Sequence, residues 1–295
     1  MRRRTTLGAC AAALAAGAAP ALAAPDWRAV TLPAARQADI HSAATGQRYR
    51  VFVAEPPGPA PAAGRPVLYV LDGNAAFPVA ALLARNVAGR SEVTGQIAPL
   101  VVGIGYPGDA DFDVPARRRD YTPRLPAAEP SAAEGGAAAF LGFIEDELKP
   151  LIAARHRIDP QRQALFGHSF GGLFVLHALF TRPEAFSTYL ASSPSIWWWG
   201  GRLPALRPTP ARVQISVGAL EDEPPPAHYP ADMRALSMSR RMVEPARELA
   251  ARLRALDGGA DRVAFHELAG ENHGSAWLPA LSRGMQFFVS QAANP

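Results

Sequence analysis

The stretch Gly167-His168-Ser169-Phe170-Gly171-Gly172 indicates the fold more strongly than any other part of the chain. It follows the apolar run 164–166 and precedes the apolar segment 173–180, so a strand, a sharp turn and a helix are predicted in that order. A serine on such a turn sits in a strained backbone, which requires small residues two positions before and two positions after it. Both positions are glycine here. The stretch therefore predicts a nucleophile elbow with Ser169 as the nucleophile; the alternative is a glycine-rich turn with a solvent-facing serine.

Strand and helix patterns alternate along the rest of the chain. Runs such as 67–71 and 100–104 are apolar on both faces, which is typical of strands buried inside a parallel sheet. We therefore predict an α/β fold with a mostly parallel central sheet and helices on both faces. The predicted strands are 48–53, 67–71, 100–104, 164–166, 189–191, 213–217 and 263–265, and the predicted helices are 132–154, 173–180, 233–256 and 278–290.

A serine hydroxyl needs a positioned base to take its proton, and histidine has the suitable pKa near neutral pH. His273 lies in a polar, glycine-rich loop between the last predicted strand and the last predicted helix. α/β hydrolases carry their catalytic groups in the order serine, acid, histidine, with the base in such a loop. The orienting acid is expected after strand 213–217, where Glu221 stands three residues after Gly218 and is preferred to Asp222. A solvated acidic loop is the alternative for this segment.

The negative oxygen that develops during ester cleavage requires two backbone N–H donors. Phe170 follows the nucleophile and is expected to supply the first. The second donor normally comes from the loop after an early strand, which points to Gly73 or Asn74 after the run 67–71. An ordinary Asp-Gly turn is the alternative explanation for this loop.

The amino-terminal residues have the pattern of a cleavable signal peptide, with a basic start, an apolar stretch and the motif Ala21-Leu22-Ala23. We expect residues 1–23 to be removed and residues 24–295 to form a single α/β-hydrolase domain in the periplasm or outside the cell. Whether export is by the Sec or the Tat route stays open. The only cysteine, Cys10, would leave with the signal, so the chemistry must come from oxygen and nitrogen groups.

Removal of the signal would also lower the formal net charge from +4 to about +1, with 27 basic against 26 acidic residues. Such a balanced charge gives no support to a nucleic-acid partner. No later apolar run approaches the roughly 20 residues that a membrane-spanning helix needs. We expect no metal and no organic cofactor, since a serine mechanism requires neither.

Five motifs stand in order along the chain: 69–74 (YVLDGN), 102–106 (VGIGY), 119–123 (RDYTP), 167–172 (GHSFGG) and 192–198 (SSPSIWW). Together they resemble the esterase branch of the α/β hydrolases that contains the enterobactin and salmochelin esterases. The resemblance extends over nearly all of residues 24–295, and it implies the α/β-hydrolase fold and an esterase that opens ester bonds of catecholate siderophores. Position by position, it implies that Ser169 is the nucleophile and His273 the base. Some relatives use a serine and histidine pair without a firm acid, which leaves the role of Glu221 open.

A ferric tris-catecholate complex is a flat-faced trianion, so its site should offer guanidinium groups and aromatic surfaces. Residues 117–119 are expected in the loop after a central strand, and residues 197–199 in the loop after the strand beyond the elbow. Arg119, Trp197 and Trp198 are the candidates for substrate contact. The alternatives are that Asp120 or the fold holds Arg119, and that at least one of the three tryptophans belongs to the core. The segment 224–232 is proline-rich and is expected to cover the site.

Two other functions remain open at this stage. The first is a feruloyl-type or general short-chain carboxylesterase. The second is a siderophore-binding protein without activity, which the presence of both Ser169 and His273 disfavours.

Overall fold

The molecule is built on an eight-stranded sheet that is mostly parallel. The computed structural model describes residues 26–125, 131–200, 203–256 and 261–290, so the predicted signal segment 1–23 lies outside the described residues. From Leu32 onward the chain forms one compact unit. The strands are β1 (Ala35–His41), β2 (Arg48–Ala54), β3 (Arg65–Leu71), β4 (Leu100–Gly105), β5 (Ile158–His168), β6 (Thr188–Ser192), β7 (Arg212–Gly218) and β8 (Val263–Leu268).

The strand order β1-β2-β4-β3-β5-β6-β7-β8 places the buried strands in the middle of the sheet. The first two strands run antiparallel to their neighbours, and all other neighbours pair in parallel. Every residue of β3 and β4 is buried, as expected for apolar runs covered on both faces. β1 is largely exposed and carries Arg36 and Asp39, whose charges protect the edge of the sheet from pairing with another chain.

Helices cover both faces, in agreement with the predicted fold class. They are α1 (Gly73–Gly89), α2 (Ser91–Thr94), α3 (Val114–Tyr121), α4 (Ala137–Gly142), α5 (Lys149–Ala153), α6 (Phe170–Thr181), α7 (Ala231–Ser239), α8 (Val243–Arg254) and α9 (Trp277–Val289). One apolar core lies between the sheet and helices α3, α4, α6 and α8. A second core lies on the opposite face, beneath α1 and α9. In the part of the chain that the structure describes, no helix is both long and apolar enough to cross a membrane.

Three helical regions differ from the prediction. The predicted helix 132–154 begins later, and a π-helical turn (Phe143–Leu148) joins α4 to α5 just before Pro150, which has no N–H for the carbonyl of Asp146. The predicted helix 233–256 is two helices, α7 and α8. Residues 117–119, expected in a loop, belong to α3, which Asp113 begins by accepting a hydrogen bond from the Ala116 N–H at 3.0 Å.

The topology brings six strand ends to one edge of the sheet. Strands β3 to β8 are all parallel, so the segments that follow them emerge on the same side, after Leu71, Gly105, His168, Ser192, Gly218 and Leu268. Ligands of parallel α/β sheets bind at this edge.

Candidate active site

The elbow at the end of β5 has the strained geometry that its sequence predicts. Ser169 adopts φ 61° and ψ −118°, which is rare for any residue other than glycine. A Cβ atom at Gly167 would lie 2.4 Å from the carbonyl carbon of Gly171, and one at Gly172 would lie 2.7 Å from the carbonyl oxygen of Ser192. Larger residues at these two positions would therefore push the turn out of shape. At Gly171, the second position expected to require a small residue, a Cβ atom would lie at an ordinary 3.5 Å from its nearest neighbours. The serine hydroxyl is presented at the amino end of α6.

The three residues predicted to form a catalytic triad lie together. The Nε2 atom of His273 is 3.0 Å from the Ser169 Oγ atom, and its Nδ1 atom is 2.7 Å from the Glu221 Oε2 atom. The histidine ring thus connects the serine hydroxyl to the carboxylate. Glu221 is 52 positions and Ser169 is 104 positions from His273 in sequence. The three residues meet because β5, β7 and β8 end at one edge of the sheet.

The carboxylate of Glu221 is held on both of its oxygens. Its Oε1 atom accepts hydrogen bonds from the Ser193 hydroxyl at 2.5 Å and from the Gly218 N–H at 2.7 Å, which leaves Oε2 for His273. The side chain of Glu221 is fully buried. Ser193, directly after β6, has φ 43° and is itself buried, so its hydroxyl has a fixed direction.

Asp222 has a different position from Glu221, although both follow β7. Its carboxylate accepts hydrogen bonds from the Met242 N–H at 2.7 Å and the Val243 N–H at 3.3 Å, at the start of α8. Acidic side chains stabilise helix N-termini because they satisfy free N–H groups and interact favourably with the helix dipole. This bond also fixes where α8 begins, which explains why the predicted helix 233–256 is broken.

A second histidine packs against His273. The rings of His168 and His273 are 4.8 Å apart, and the Nδ1 atom of His168 is 3.1 Å from the Ser192 hydroxyl. Burial lowers the pKa of His168 well below its ordinary value, and the neighbouring His273 and Arg117 lower it further. His168 is therefore neutral at physiological pH and supports the His273 loop without adding a positive charge beside it.

Of the expected oxyanion donors, the structure brings one to the cavity beside Ser169. Phe170 is the first residue of α6, where a backbone N–H has no acceptor within the helix. Gly73 and Asn74 begin α1 and do not line this cavity. The Asn74 side chain instead bonds the backbone of Tyr106, accepting from its N–H at 3.0 Å and donating to its carbonyl at 3.1 Å. The loop after β3 is thereby fastened to the end of β4.

Arg117 lies in the cavity, a position for which Arg119 was predicted. Its Nε and Nη2 atoms bind both carboxylate oxygens of Asp72, at 2.7 and 3.2 Å, and Nη2 also donates to the His168 carbonyl at 3.1 Å. Burial lowers the pKa of Arg117, but the charge of Asp72 and the hydrogen bonds to it outweigh this effect and raise the pKa above its ordinary value. A permanently charged guanidinium therefore lies behind the elbow.

The cavity at Ser169 has a volume of about 340 Å³ and a mixed cationic and aromatic wall. A volume of this size is within the common range for small-molecule sites. Trp197 lines it as predicted, together with Phe170 and Arg117. Further lining residues are Pro225, Tyr229, Arg240 and Met242. Two of these residues come from segment 224–232, which was expected to cover the site.

Trp198 and Arg119 do not line the cavity. The indole N–H of Trp198 donates to the Pro123 carbonyl at 3.0 Å, and its ring packs edge-on against Phe170. Arg119 forms two hydrogen bonds with Asp120, at 2.8 and 2.7 Å, and faces a separate surface groove. The reason is the helical form of 117–119, because successive side chains of a helix point about 100° apart.

Sequence reasoning missed Arg240, Tyr229 and Met242. They follow the acid by up to about twenty residues, and no motif marks them; the break between α7 and α8 is what turns this segment toward Ser169. Among residues 26–125, 131–200, 203–256 and 261–290, no cluster of three or more His, Cys, Asp or Glu side chains could hold a metal ion.

Comparison with known proteins agrees with this architecture. The model of the family described as "Putative esterase" matches residues 42–288. The chain is 37% identical to the ferri-bacillibactin esterase BesA of Bacillus subtilis, over 88% of this chain and 91% of that protein. It is 36% identical to the siderophore enterobactin esterase of Emericella nidulans, over 77% of this chain and 82% of that protein.

The fold is also similar to that of a solved structure, the BES protein from Bacillus cereus. The TM-score is 0.75 and the sequence identity is 35%, over 90% of this chain and 98% of that one. The matched region includes the elbow, the acid turn and the histidine loop. The chain belongs to this esterase family of the α/β hydrolases.

Proposed function

We propose that this carboxylic ester hydrolase cleaves ester bonds of siderophores of the catecholate, enterobactin-like class through an acyl intermediate on Ser169. The observation that carries the proposal is the hydrogen-bonded series Ser169–His273–Glu221 at a cavity of arginine and aromatic side chains. The names of the similar esterases support a siderophore as the substrate.

In the first half of the reaction, the Nε2 atom of His273 takes the proton of the Ser169 hydroxyl as its oxygen attacks the ester carbonyl carbon. Glu221 accepts the Nδ1–H of the ring through Oε2, which fixes the tautomer and stabilises the imidazolium that forms. The Phe170 N–H stabilises the negative oxygen of the tetrahedral intermediate. His273 then gives its proton to the leaving alkoxide, and the acyl group stays on Ser169.

In the second half, His273 takes a proton from water as the water oxygen attacks the acyl-serine carbon; the bond from that carbon to Ser169 Oγ then breaks, His273 returns the proton to Oγ, and the acid is released. Gly73 and Asn74 lie outside the cavity, so the second stabilising charge for the negative oxygen is assigned to Arg117. Its Nη1 atom is not used in the bonds to Asp72 and His168, and its positive charge is buried beside the elbow. No metal or organic cofactor has a part in these steps.

The cavity wall supports a flat, negatively charged substrate. Arg117 and Arg240 provide positive charge, and Phe170 and Trp197 provide ring surfaces. The volume of about 340 Å³ suits one aromatic arm of a siderophore, with the remaining arms outside the cavity mouth. A feruloyl-type esterase would need an aromatic wall but no excess of positive charge. Arg117 is paired with Asp72, so the positive charge of Arg240 is what favours the siderophore.

The place of action is part of the proposal. The pattern at 1–23 predicts export, and a periplasmic or extracellular esterase would meet siderophores there. Mass determination of the protein recovered from a periplasmic fraction tests this; a chain that retains residues 1–23 would contradict it.

The substrate assignment is tested by initial rates on ferric enterobactin, its linear trimer and a methyl ferulate of matched concentration. Ser169→Ala is the control for hydrolysis without the enzyme. We expect the siderophore esters to be cleaved with a kcat/KM at least tenfold above that of the ferulate. A preference for the ferulate, or equal rates on all three, would contradict the proposed substrate class but not the serine mechanism.

A further inference from the structure

We infer that Arg240 and Trp197 form a subsite for a negatively charged aromatic ring. The inference rests on the proposed function, because it assigns a place to one arm of the substrate.

The two side chains form one surface of the cavity. The guanidinium carbon of Arg240 lies 4.1 Å from the centre of the Trp197 ring, a close cation–π distance. The Trp197 ring is in turn 5.9 Å from the Phe170 ring, next to the nucleophile. A ring bound beside Trp197 would therefore lie near Ser169, whose Oγ atom attacks the ester carbon.

Arg240 differs from the neighbouring arginines in its charge balance. Arg117 is paired with Asp72, and Arg118 is paired with Glu134. In the described part of the chain, no carboxylate forms an ion pair with Arg240. The one carboxylate that lines the cavity, Glu221, is occupied by His273, Ser193 and Gly218.

The environment of Arg240 disfavours its positive charge when no ligand is bound. Burial lowers the pKa of Arg240, and the positive charge of Arg118 lowers it further. An anion in the cavity would relieve both effects, since it supplies the charge that the chain itself does not. The unbalanced guanidinium is therefore a feature that favours anionic over neutral ligands.

The geometry favours an aromatic anion over other anions. A guanidinium positioned over an indole ring still has N–H groups that can donate to oxygen atoms. The faces of Trp197 and Phe170 offer ring contact to the same ligand. One ligand with a ring and an attached oxyanion would use both kinds of contact.

Arg240 is also tied to the reacting groups through the chain. It lies between α7 and α8, two residues before Met242, whose N–H is bound by Asp222. Asp222 is adjacent to Glu221, which holds His273. The subsite and the hydrogen-bonded series therefore share one anchor, the turn after β7.

The test is direct binding of 2,3-dihydroxybenzoate and of its neutral amide, 2,3-dihydroxybenzamide, measured by calorimetry at pH 7. The proteins compared are the wild type, Arg240→Gln and the matched control Arg241→Gln. Arg241 is exposed and does not line the cavity. We expect the wild type and Arg241→Gln to bind the acid about tenfold more tightly than the amide, as a charge-assisted hydrogen bond allows. In Arg240→Gln the two ligands should bind equally.

An unchanged preference in Arg240→Gln, or a wild type that binds the acid no better than the amide, would overturn the inference. If Arg240→Gln does not fold, Arg240→Lys serves in its place, with an expected fall in preference of at least threefold from loss of the planar stack. The measurement does not depend on turnover. Failure to cleave siderophores would therefore defeat the proposed function alone. A wild type that cleaves siderophores but binds the acid no better than the amide would defeat the subsite alone.

Discussion

Ser193 provides the most informative test of how the acid works. Its hydroxyl donates to the Oε1 atom of Glu221 at 2.5 Å, and we expect this bond to turn Oε2 toward His273. Replacing Ser193 by alanine leaves only the Gly218 N–H on Oε1. A hydrogen bond to a charged group contributes about 1.5–3 kcal/mol, and about 1.4 kcal/mol corresponds to a tenfold change in rate. We therefore expect Ser193→Ala to lower kcat by about ten- to a hundredfold with little change in KM.

The assay is hydrolysis of a neutral aryl ester by Ser193→Ala, Glu221→Ala and the double variant. If Ser193 acts only through Glu221, its hydroxyl has no function once the carboxylate is gone, so the double variant should have the same kcat as Glu221→Ala. A double variant that loses a further tenfold would refute the reasoning, because independent effects multiply. Melting temperatures of all variants show whether a change in stability contributes.

Two further predictions concern residues outside the hydrogen-bonded series. Asp222→Ala removes the carboxylate that bonds the first N–H groups of α8 and should destabilise the fold by about 1 kcal/mol, which is a fall in melting temperature of about 2–4 °C. Its kcat should fall far less than that of Glu221→Ala. Equal losses of kcat in the two variants would contradict the different positions of the two carboxylates. Burial lowers the pKa of His177 to about 4, so its contribution to stability is complete above its unfolded pKa of about 6.5 and is lost as the pH falls toward 4. Between pH 6.5 and 5 that loss is about 2 kcal/mol, and His177→Leu should reduce the fall in melting temperature over this range; an identical fall in both proteins would show that His177 is solvated.

The elbow and the histidine loop could be predicted from sequence because both depend on local patterns. Close backbone contacts at Gly167 and Gly172 leave no room for a side chain, so glycine stands at both positions and is visible in the sequence on either side of Ser169. His273 was found from its place after the last strand, since the order of strands determines which loops meet. Glu221 was preferred on spacing alone. Its separation from Asp222 needed the structure, because adjacent side chains of a turn point in directions that the sequence does not specify.

The substrate residues were predicted less well. The sequence indicated that arginine would be present, but choosing Arg117 over Arg119 requires the phase of α3, and that segment was read as a loop. Arg240 carries no local signal at all. It lies in the turn between α7 and α8, which Asp222 holds by accepting from the Met242 N–H, a contact between residues 20 positions apart. The periodicity of apolar residues indicates local helices and strands, and it does not indicate contacts between residues so far apart in sequence.

The central claim is that Ser169 is acylated by a siderophore ester. The most direct measurement is mass spectrometry of the protein and its products after incubation with the ferric form of a cyclic catecholate trilactone, alongside labelling by a fluorophosphonate. We expect linear trimer, dimer and monomer products and a single label on Ser169, with neither in Ser169→Ala, although that variant keeps its melting temperature. Ester cleavage that persists in Ser169→Ala, or a label on another residue, would contradict the account.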